Sequence, residues 1–339
     1  MTLEDKDLNA AQRKSDHIEL AFRARAEAGD LRFDYEPLFA PHPDNSALPS
    51  LQIGNRTMRA PLWVSSMTGG AEKAGTINKR LALACKEFGL GMGLGSCRQL
   101  LEDNTYLKDF ALRPYIGEQP LFANLGIAQL EKLAAAKQLH LVNDLVEKLE
   151  ADGIIVHVNP LQEWLQPEGD RITVAPLETI QRVLESSRFP VMVKEVGQGF
   201  GPESMRALLR LPLEALDFAA QGGTNFSLLE MLRADSFVQE QYEGLAKIGH
   251  SAVNMTETLL QVLEEEGAAV RARNIIVSGG INGFLDGYWH LRKIPMPALY
   301  AQASAFLKPA LESEEKLFAF VASQLEGLRL AYTYLNIRK

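Results

Sequence analysis

The chain has 339 residues, 46% hydrophobic and 23% charged, a composition typical of a soluble globular protein with a full core. Its formal net charge of −8 and pI near 5.4 argue against nucleic acid as a partner, because phosphate polymers are bound by dense fields of Lys and Arg. The polar N-terminal residues and the lack of a long uncharged apolar run predict no membrane partner and a cytoplasmic location.

Short apolar runs alternate with amphipathic helical segments from residue 61 onward. The predicted strands are residues 61–66, 90–95, 120–125, 153–158, 190–196, 214–219, 274–280 and 297–304. Continuous rather than alternating apolar runs suit parallel strands that are covered on both faces. A long helix is predicted over residues 312–335.

Eight successive βα units predict an α/β fold, a (β/α)8 TIM barrel, and a doubly wound open sheet is the alternative. We expect residues 61–339 to form this barrel as a single domain that ends in the C-terminal helix. Residues 1–60 are expected to form an N-terminal extension that closes over the active site.

Polar and glycine-rich sequences follow most of the predicted strands. They are SSMTGG (65–70), GSCRQ (95–99), Asn124, HVNPLQE (157–163), KEVGQG (194–199), QGGTN (221–225) and SGGING (278–283). Barrel enzymes carry their functional residues at these strand ends, so the pattern predicts an enzyme.

Two loops are candidates for binding a mononucleotide phosphate, residues 278–283 and 301–304. Loops after the seventh and eighth strands of barrels commonly bind phosphate, and glycine lets main-chain N–H groups face an anion. Tight βα turns would explain the glycines of any single loop equally well.

Lys194 ends an apolar strand, where its charge requires a partner. A cofactor or phosphate and an internal ion pair with Glu195 remain open as alternatives. Other strand ends carry short hydrogen-bonding residues that suit a planar heterocycle or a ribityl chain, although each is also a common helix cap. These residues are Thr68, Ser96, Asn124 and Thr224.

The loop after the fourth predicted strand carries Glu163, which is suited to Mg²⁺ if substrate phosphates complete the coordination; a surface carboxylate is the alternative. His157 faces either the barrel mouth or a core hydrogen bond. A basic cluster near the N-terminus is suited to clamping a diphosphate together with Arg98, or is a solvated face. The cluster comprises Arg13, Lys14 and His17.

Eight motifs run in order along nearly the whole chain: RKSDHI, SSMTGG, GLGSCRQ, NLG, HVNPLQEWLQPEGD, VMVKEVGQG, QGGTNF and VSGGINGFLDG. In these motifs the chain resembles the type 2, FMN-dependent isopentenyl-diphosphate isomerases. The resemblance implies a barrel that interconverts isopentenyl and dimethylallyl diphosphate by a 1,3-proton shift in isoprenoid biosynthesis. It implies reduced FMN, NADPH as the reductant, Mg²⁺ on the diphosphate, and a homo-oligomer, tetrameric or octameric.

The resemblance also implies residue roles. FMN would be held by Ser66, Met67, Thr68, Ser96, Asn124, Lys194 and Thr224, with its phosphate at Gly280, Ile281, Asn282, Ala303 and Ser304. The substrate would be bound by Arg13, Lys14, His17, Arg98, His157, Asn159 and Gln162, with Gln162 and His157 as catalytic residues and Glu163 on Mg²⁺. The family often has Gln in place of Cys97, Arg in place of Asn282, and Arg or a similar residue near Ser304.

Protonating an unactivated alkene creates a tertiary cation, and the amide of Gln162 is a poor acid. We therefore hypothesise that the reduced flavin acts as acid and base. The alternatives are an FMN-dependent 2-hydroxy-acid oxidase or dehydrogenase, which would need a His–Arg pair that VSGGING lacks, and a barrel with Cys97 as nucleophile. A non-catalytic flavin-binding barrel is the remaining alternative.

Overall fold

The structure, a computed structural model, describes residues 10–24, 28–44, 48–66, 73–234 and 236–338. The strands are β1 (Phe33–Tyr35), β2 (Leu51–Ile53), β3 (Arg56–Met58), β4 (Leu62–Val64), β5 (Gly91–Gly93), β6 (Leu121–Gly126), β7 (Gly153–His157), β8 (Val191–Lys194), β9 (Ala215–Asp217), β10 (Asn274–Val277), β11 (Ala298–Gln302) and β12 (Leu335–Ile337).

The helices surround these strands. They are α1 (Ala10–Leu20), α2 (Ala74–Phe88), α3 (Leu107–Phe110), α4 (Arg113–Ile116), α5 (Ile127–Ala135), α6 (His140–Lys148), α7 (Pro160–Leu165), α8 (Pro176–Ser186), α9 (Pro202–Leu209), α10 (Phe226–Arg233), α11 (Ser236–Ala246), α12 (Ala252–Glu266), α13 (Phe284–Lys293), α14 (Ser304–Glu312) and α15 (Glu314–Tyr334), with 3-10 turns at Arg98–Leu101 and Gly267–Ala269. None of those described is long and apolar enough to cross a lipid bilayer.

The strands from β4 to β11 form a closed parallel barrel, in which β11 pairs with β4 and β9 pairs with β10. Each of these strands lies within one of the predicted apolar runs, except that β6 extends one residue further, to Gly126, so the TIM-barrel prediction is confirmed and the open sheet is excluded. The continuous apolar character follows from burial on both faces, since side chains point alternately into the barrel and toward the helices.

The barrel interior is filled by large side chains that include Trp63 and Phe122, whose ring centroids are 6.0 Å apart. The glycine-rich strand β5 is required by this packing, because a Cβ at Gly91 would overlap the Trp63 ring. The site above the barrel is therefore built on a packed core and not on an open channel.

The hairpin of β2 and β3 closes the amino-terminal end of the barrel. Ile53 and Met58 join the interior cluster, and the main-chain N–H of Gly54 donates to Glu214, just before β9, at 2.6 Å. This part of residues 1–60 thus covers the end opposite the polar strand ends, whereas the placement of the remaining extension over the active site stays a prediction.

Strand β1 pairs antiparallel with β12, the last strand of the chain. The main-chain N–H of Arg338 donates to the Arg32 oxygen at 2.9 Å, and its guanidinium pairs with Asp34 at 2.7 Å. The predicted C-terminal helix, α15, thus leads into a strand that holds the segment before the barrel.

Candidate active site

A cavity of about 560 Å³ opens at the carboxyl ends of the strands, within the size range of small-molecule sites. Its lining includes many of the residues predicted to bind FMN: Ser66, Lys194, Thr224, Gly280, Ile281, Asn282, Ala303 and Ser304. The two predicted phosphate loops, after β10 and β11, therefore meet at one wall. Met67 and Thr68 lie outside the described residues.

Three side-chain oxygens on the cavity wall are buried and have no hydrogen-bond partner among the described residues. They are Ser65 Oγ, Ser66 Oγ and Gln302 Oε1. Gln302 is only 4% exposed, and its Nε2 donates to the Ile281 oxygen at 3.0 Å, so the side chain is fixed with its oxygen unpaired. Buried polar atoms in folded proteins are normally paired, which indicates that a ligand completes these groups.

The glycine loops approach each other closely at this wall. Gly222, Gly279 and Gly280 have φ of 111°, 84° and 70°, a region that other residues rarely adopt. A Cβ at Gly279 would also overlap the main-chain oxygen of Ala220. These glycines are thus required by the backbone, which answers why they occur in both loops.

The Asn282 loop is fixed from behind by helix α13. Asp286 accepts from the Asn282 main-chain N–H at 2.9 Å and from its side-chain amide at 3.2 Å. The other Asp286 oxygen pairs with Arg32, beside β1, at 2.8 Å. The cavity wall is therefore connected to the β1–β12 pair.

Lys194 is 8% exposed at the end of β8, and its Nζ donates to the main-chain oxygen of Glu195 at 2.7 Å. The predicted ion pair with the Glu195 carboxylate is wrong, because that carboxylate turns back to accept main-chain N–H groups. Burial raises the pKa of Glu195, and the N–H groups of Gln198, Gly199 and Gly197 oppose this rise. Lys194 therefore lines the cavity without an ion pair to Glu195.

His157, Lys194 and Asp217 occupy adjacent positions across β7, β8 and β9. Burial raises the pKa of Asp217, and the charge of Lys194 opposes the rise. Ser278 also donates to this carboxylate. Lys194 therefore lies between the His157 imidazole and the buried Asp217 carboxyl group, and the lysine charge acts on both side chains.

His157 is held in one tautomer by Asn124. The Asn124 amide donates to the Leu94 oxygen at 3.0 Å, so its Oδ1 accepts from Nδ1–H of His157 at 2.7 Å. Burial lowers the pKa of His157 to about 3, and the charge of Lys194 acts in the same direction. Nε2 is then unprotonated and accepts a proton or hydrogen bond.

Asn159, Gln162 and Glu163 form a hydrogen-bonded group at the start of α7. Asn159 Nδ2 donates to Gln162 Oε1 at 3.2 Å and to Glu163 Oε1 at 3.1 Å, and Asn159 Oδ1 is buried without a partner among the described residues. Gln162 Nε2 donates to Glu230 at 3.1 Å, and Arg233 also pairs with that carboxylate. The Gln162 amide is therefore held at both ends.

Glu163 is buried, and its second oxygen accepts from the main-chain N–H of Asp170 at 2.7 Å. The Asp170 carboxylate in turn pairs with Lys132 at 2.6 Å and with Arg98 at 3.4 Å. Lys132 is the main cause that lowers the Asp170 pKa. Arg98, from the loop after β5, is thus brought to the β7 loop, and its role in substrate binding remains a prediction.

None of the predicted substrate and metal residues described above lines the cavity: these are Arg98, His157, Asn159, Gln162 and Glu163. Further predicted residues also lie away from the cavity lining. Ser96 is exposed after β5, and Asn124 is engaged with His157. Arg13, Lys14 and His17 are exposed on α1. Their predicted roles remain predictions.

Cys97 is fully buried, and burial raises the pKa of its thiol to about 12. A thiol in this state is a poor nucleophile, which argues against the predicted alternative of cysteine catalysis. Cys85 is likewise buried and free.

Several residues of the site carry no clear signal in the sequence. Glu230 joins the group through the fold alone. Asp170, Ser65 and Gln302 lie within sequences singled out above, although no role was predicted for these residues individually. Lys308 and Lys316 also line the cavity, and no role was predicted from the sequence for either of them.

No protein-family model matches the chain. Curated relatives include isopentenyl-diphosphate delta-isomerase of Cronobacter sakazakii, 36% identical with 96% of this chain and 93% of the relative covered. The enzyme of the same name from Rickettsia rickettsii is 34% identical, with 97% and 94% covered.

Solved structures with a similar fold include a flavocytochrome b2 variant with sulfite bound, at 13% identity and a TM-score of 0.61, with 88% of this chain and 71% of that chain covered. A mandelate oxidase variant with a monooxide FMN adduct has 13% identity and a TM-score of 0.53, with 98% and 99% covered. At this identity the likeness concerns the fold alone.

Proposed function

Because the chain belongs to the isopentenyl-diphosphate delta-isomerase family, we propose that it interconverts isopentenyl and dimethylallyl diphosphate as a type 2, FMN-dependent isomerase. The observation that carries the type 2 assignment is the cavity at the carboxyl ends of the strands, with its paired glycine loops and unpartnered oxygens. The reaction moves one proton from carbon to carbon, so the diphosphate must be held still while a base and an acid act on the alkene.

The cavity residues fit FMN. Gln302 Oε1 is an acceptor, Ser66 Oγ can accept or donate, and neither has a partner among the described residues, which suits the hydroxyls and ring edge of a flavin. The loops of Gly280 and Ser304 would hold the phosphate, and Lys194 would lie at the ring. When bound in its reduced form, with NADPH as the reductant, FMN would supply an electron-rich ring and a nitrogen that exchanges protons.

The group around α7 supports the binding of substrate and Mg²⁺. Glu163 Oε1 and the unpartnered Asn159 Oδ1 are hard oxygen donors on adjacent side chains. Two oxygen donors do not complete the coordination of Mg²⁺, so the substrate diphosphate would supply further ligands. Arg98 would add a positive charge beside this diphosphate.

The protein's own residues would orient the alkene, and His157 would stay in one protonation state. Gln162 is fixed by Asn159 and Glu230, so its amide presents one defined face to a substrate. His157 is held neutral by burial and by Lys194, and would accept a hydrogen bond at Nε2 without adding charge. A neutral histidine leaves the developing carbocation unopposed by another positive charge.

The proposal is tested by incubating the protein with isopentenyl diphosphate, FMN, NADPH and Mg²⁺ in D₂O. We expect dimethylallyl diphosphate with incorporated deuterium, and no product when the reductant is omitted. Turnover without FMN or without reductant would refute the type 2 assignment while leaving the isomerase family intact. No turnover with bound, reduced FMN would refute the proposed activity.

A further inference from the structure

One face of helix α14 continues the cavity wall beyond the loop after β11. Ser304, Lys308 and Glu312 line the cavity and are spaced four residues apart, which places them on one face of the helix. Successive members are about 6 Å apart along the axis, a distance that a lysine side chain spans. The Lys308 ammonium can therefore reach the beginning of α14.

Helix α15 contributes a second cation to the same wall. Lys316 and Phe320, again four residues apart, both line the cavity. Lys308 and Lys316 are exposed, and neither makes an ion pair within the described part of the chain. With Lys194, three lysines and one glutamate line a cavity in a chain whose formal net charge is −8. The cavity is thus positive where the protein as a whole is negative, which favours an anionic ligand.

An independent observation at the same wall comes from Gln302, which precedes α14 by two residues. Its buried Oε1 has no partner among the described residues, while its Nε2 is already engaged with the Ile281 oxygen. A free acceptor is completed by a hydroxyl donor. The wall therefore fits a ligand that carries a hydroxyl group and an anionic group close together.

Resting on the proposed function, we propose that Lys308 and Lys316 neutralise the terminal phosphate of FMN and thereby select flavin mononucleotide over riboflavin. Two lysines on separate helices act as point charges that need no exact geometry, whereas the glycine loops supply directional N–H groups. Glu312, on the same face of α14, would repel the phosphate and lower the affinity of the protein for FMN.

The test measures dissociation constants of the apo protein for FMN and for riboflavin by quenching of flavin fluorescence at low ionic strength. In the double variant Lys308→Gln/Lys316→Gln we expect the constant for FMN to rise roughly tenfold or more and that for riboflavin to stay the same. The dependence of FMN binding on salt concentration should become weaker. Glu312→Gln should bind FMN more tightly.

The matched control is Lys293→Gln, which removes the same charge at the last residue of α13, away from the cavity wall. It should change neither constant. Circular dichroism and thermal melting of the apo variants verify folding.

Unchanged FMN affinity in the double variant would overturn the inference, as would an equal loss of FMN and riboflavin, which indicates damage to the fold or ring site. Absence of flavin binding by the unmodified protein would instead refute the proposed function on which the inference rests.

Discussion

Two cavities of nearly equal size occupy opposite ends of the barrel. That at the carboxyl end has about 560 Å³, and that at the amino end, beside the β2–β3 hairpin, has about 550 Å³. At the amino end Glu214 accepts from Gly54, Arg273 and Asn274, and no described lining residue has a buried side-chain polar atom without a partner. At the carboxyl end such atoms occur. Volume alone therefore does not distinguish the two cavities, whereas unpaired polar atoms on the lining do.

The largest effect is expected at the amino end, where Asp152 joins three elements. Its carboxylate, only 6% exposed, pairs with Arg56 and Arg113 at 2.8 Å each and accepts from the Leu121 N–H at 2.9 Å. Asp152→Asn should lower the free energy of unfolding by about 3 kcal/mol, because it removes the buried carboxylate that both guanidinium groups share. Arg56 then keeps only its pair with the exposed Glu118, and Arg113 keeps only main-chain oxygen partners. Denaturant unfolding measures this loss.

The affinity of Asp152→Asn for FMN should not change, and Asp144→Asn, an exposed carboxylate on α6, is the control for stability. If Asp152→Asn has normal stability and weakened FMN binding, the amino end and not the carboxyl end of the barrel would be the ligand site.

The reverse behaviour is expected for Gln162, at the carboxyl end. Gln162→Ala should lower kcat/KM by roughly 100-fold, equivalent to about 2.7 kcal/mol, because the alkene loses a positioned amide. The denaturation midpoint should stay near that of the unmodified protein. Steady-state isomerase assays measure the loss, and Gln138→Ala, in an exposed loop, is the control. If Gln162→Ala keeps full isomerase activity, Gln162 does not position the alkene.

A pH dependence follows from His157. Its folded pKa, lowered to about 3, lies below the ordinary value of a histidine, so the folded state binds fewer protons than the unfolded state between these values. Stability from this residue is present above about pH 6.5 and is lost as the pH falls toward 3.

Between pH 6 and pH 4 the free energy of unfolding should fall with decreasing pH in the unmodified protein. In His157→Asn this fall should be smaller by about 1.4 kcal/mol per pH unit. His290, whose pKa burial lowers to about 4, titrates in both proteins and cancels in the difference. His140→Asn, at an exposed position, should leave the slope unchanged. If the free energy of unfolding depends on pH with the same slope in His157→Asn and in the unmodified protein, His157 is not held neutral in the folded state.

The smallest effect is expected at Ser66, whose buried Oγ has no described partner. Ser66→Ala should raise the stability of the apo protein by up to about 1 kcal/mol, because it removes an unsatisfied polar group. Its affinity for FMN should fall several-fold. Thermal melting with and without FMN measures both quantities, and a destabilised apo variant would show that the hydroxyl is paired within the protein.

The barrel could be predicted from the sequence because eight buried strands leave continuous apolar runs, and each run contains a strand. The same rule located the strand ends, so Lys194 and the Asn282 loop were placed correctly. The site partners that lie far apart in sequence could not be predicted: Glu230 reaches Gln162 only through the packing of α10 on α7. Nor does composition show that the hairpin around Gly54 covers the amino end.

The pairing of β1 with β12 has a consequence for the order of events during synthesis. Arg32, beside β1, supports Asp286, which fixes the Asn282 loop at the cavity wall. Strand β12 leaves the ribosome last, so an incomplete chain has no partner for β1 and lacks this support. A nascent barrel should therefore fix the Asn282 loop fully only after the chain is released.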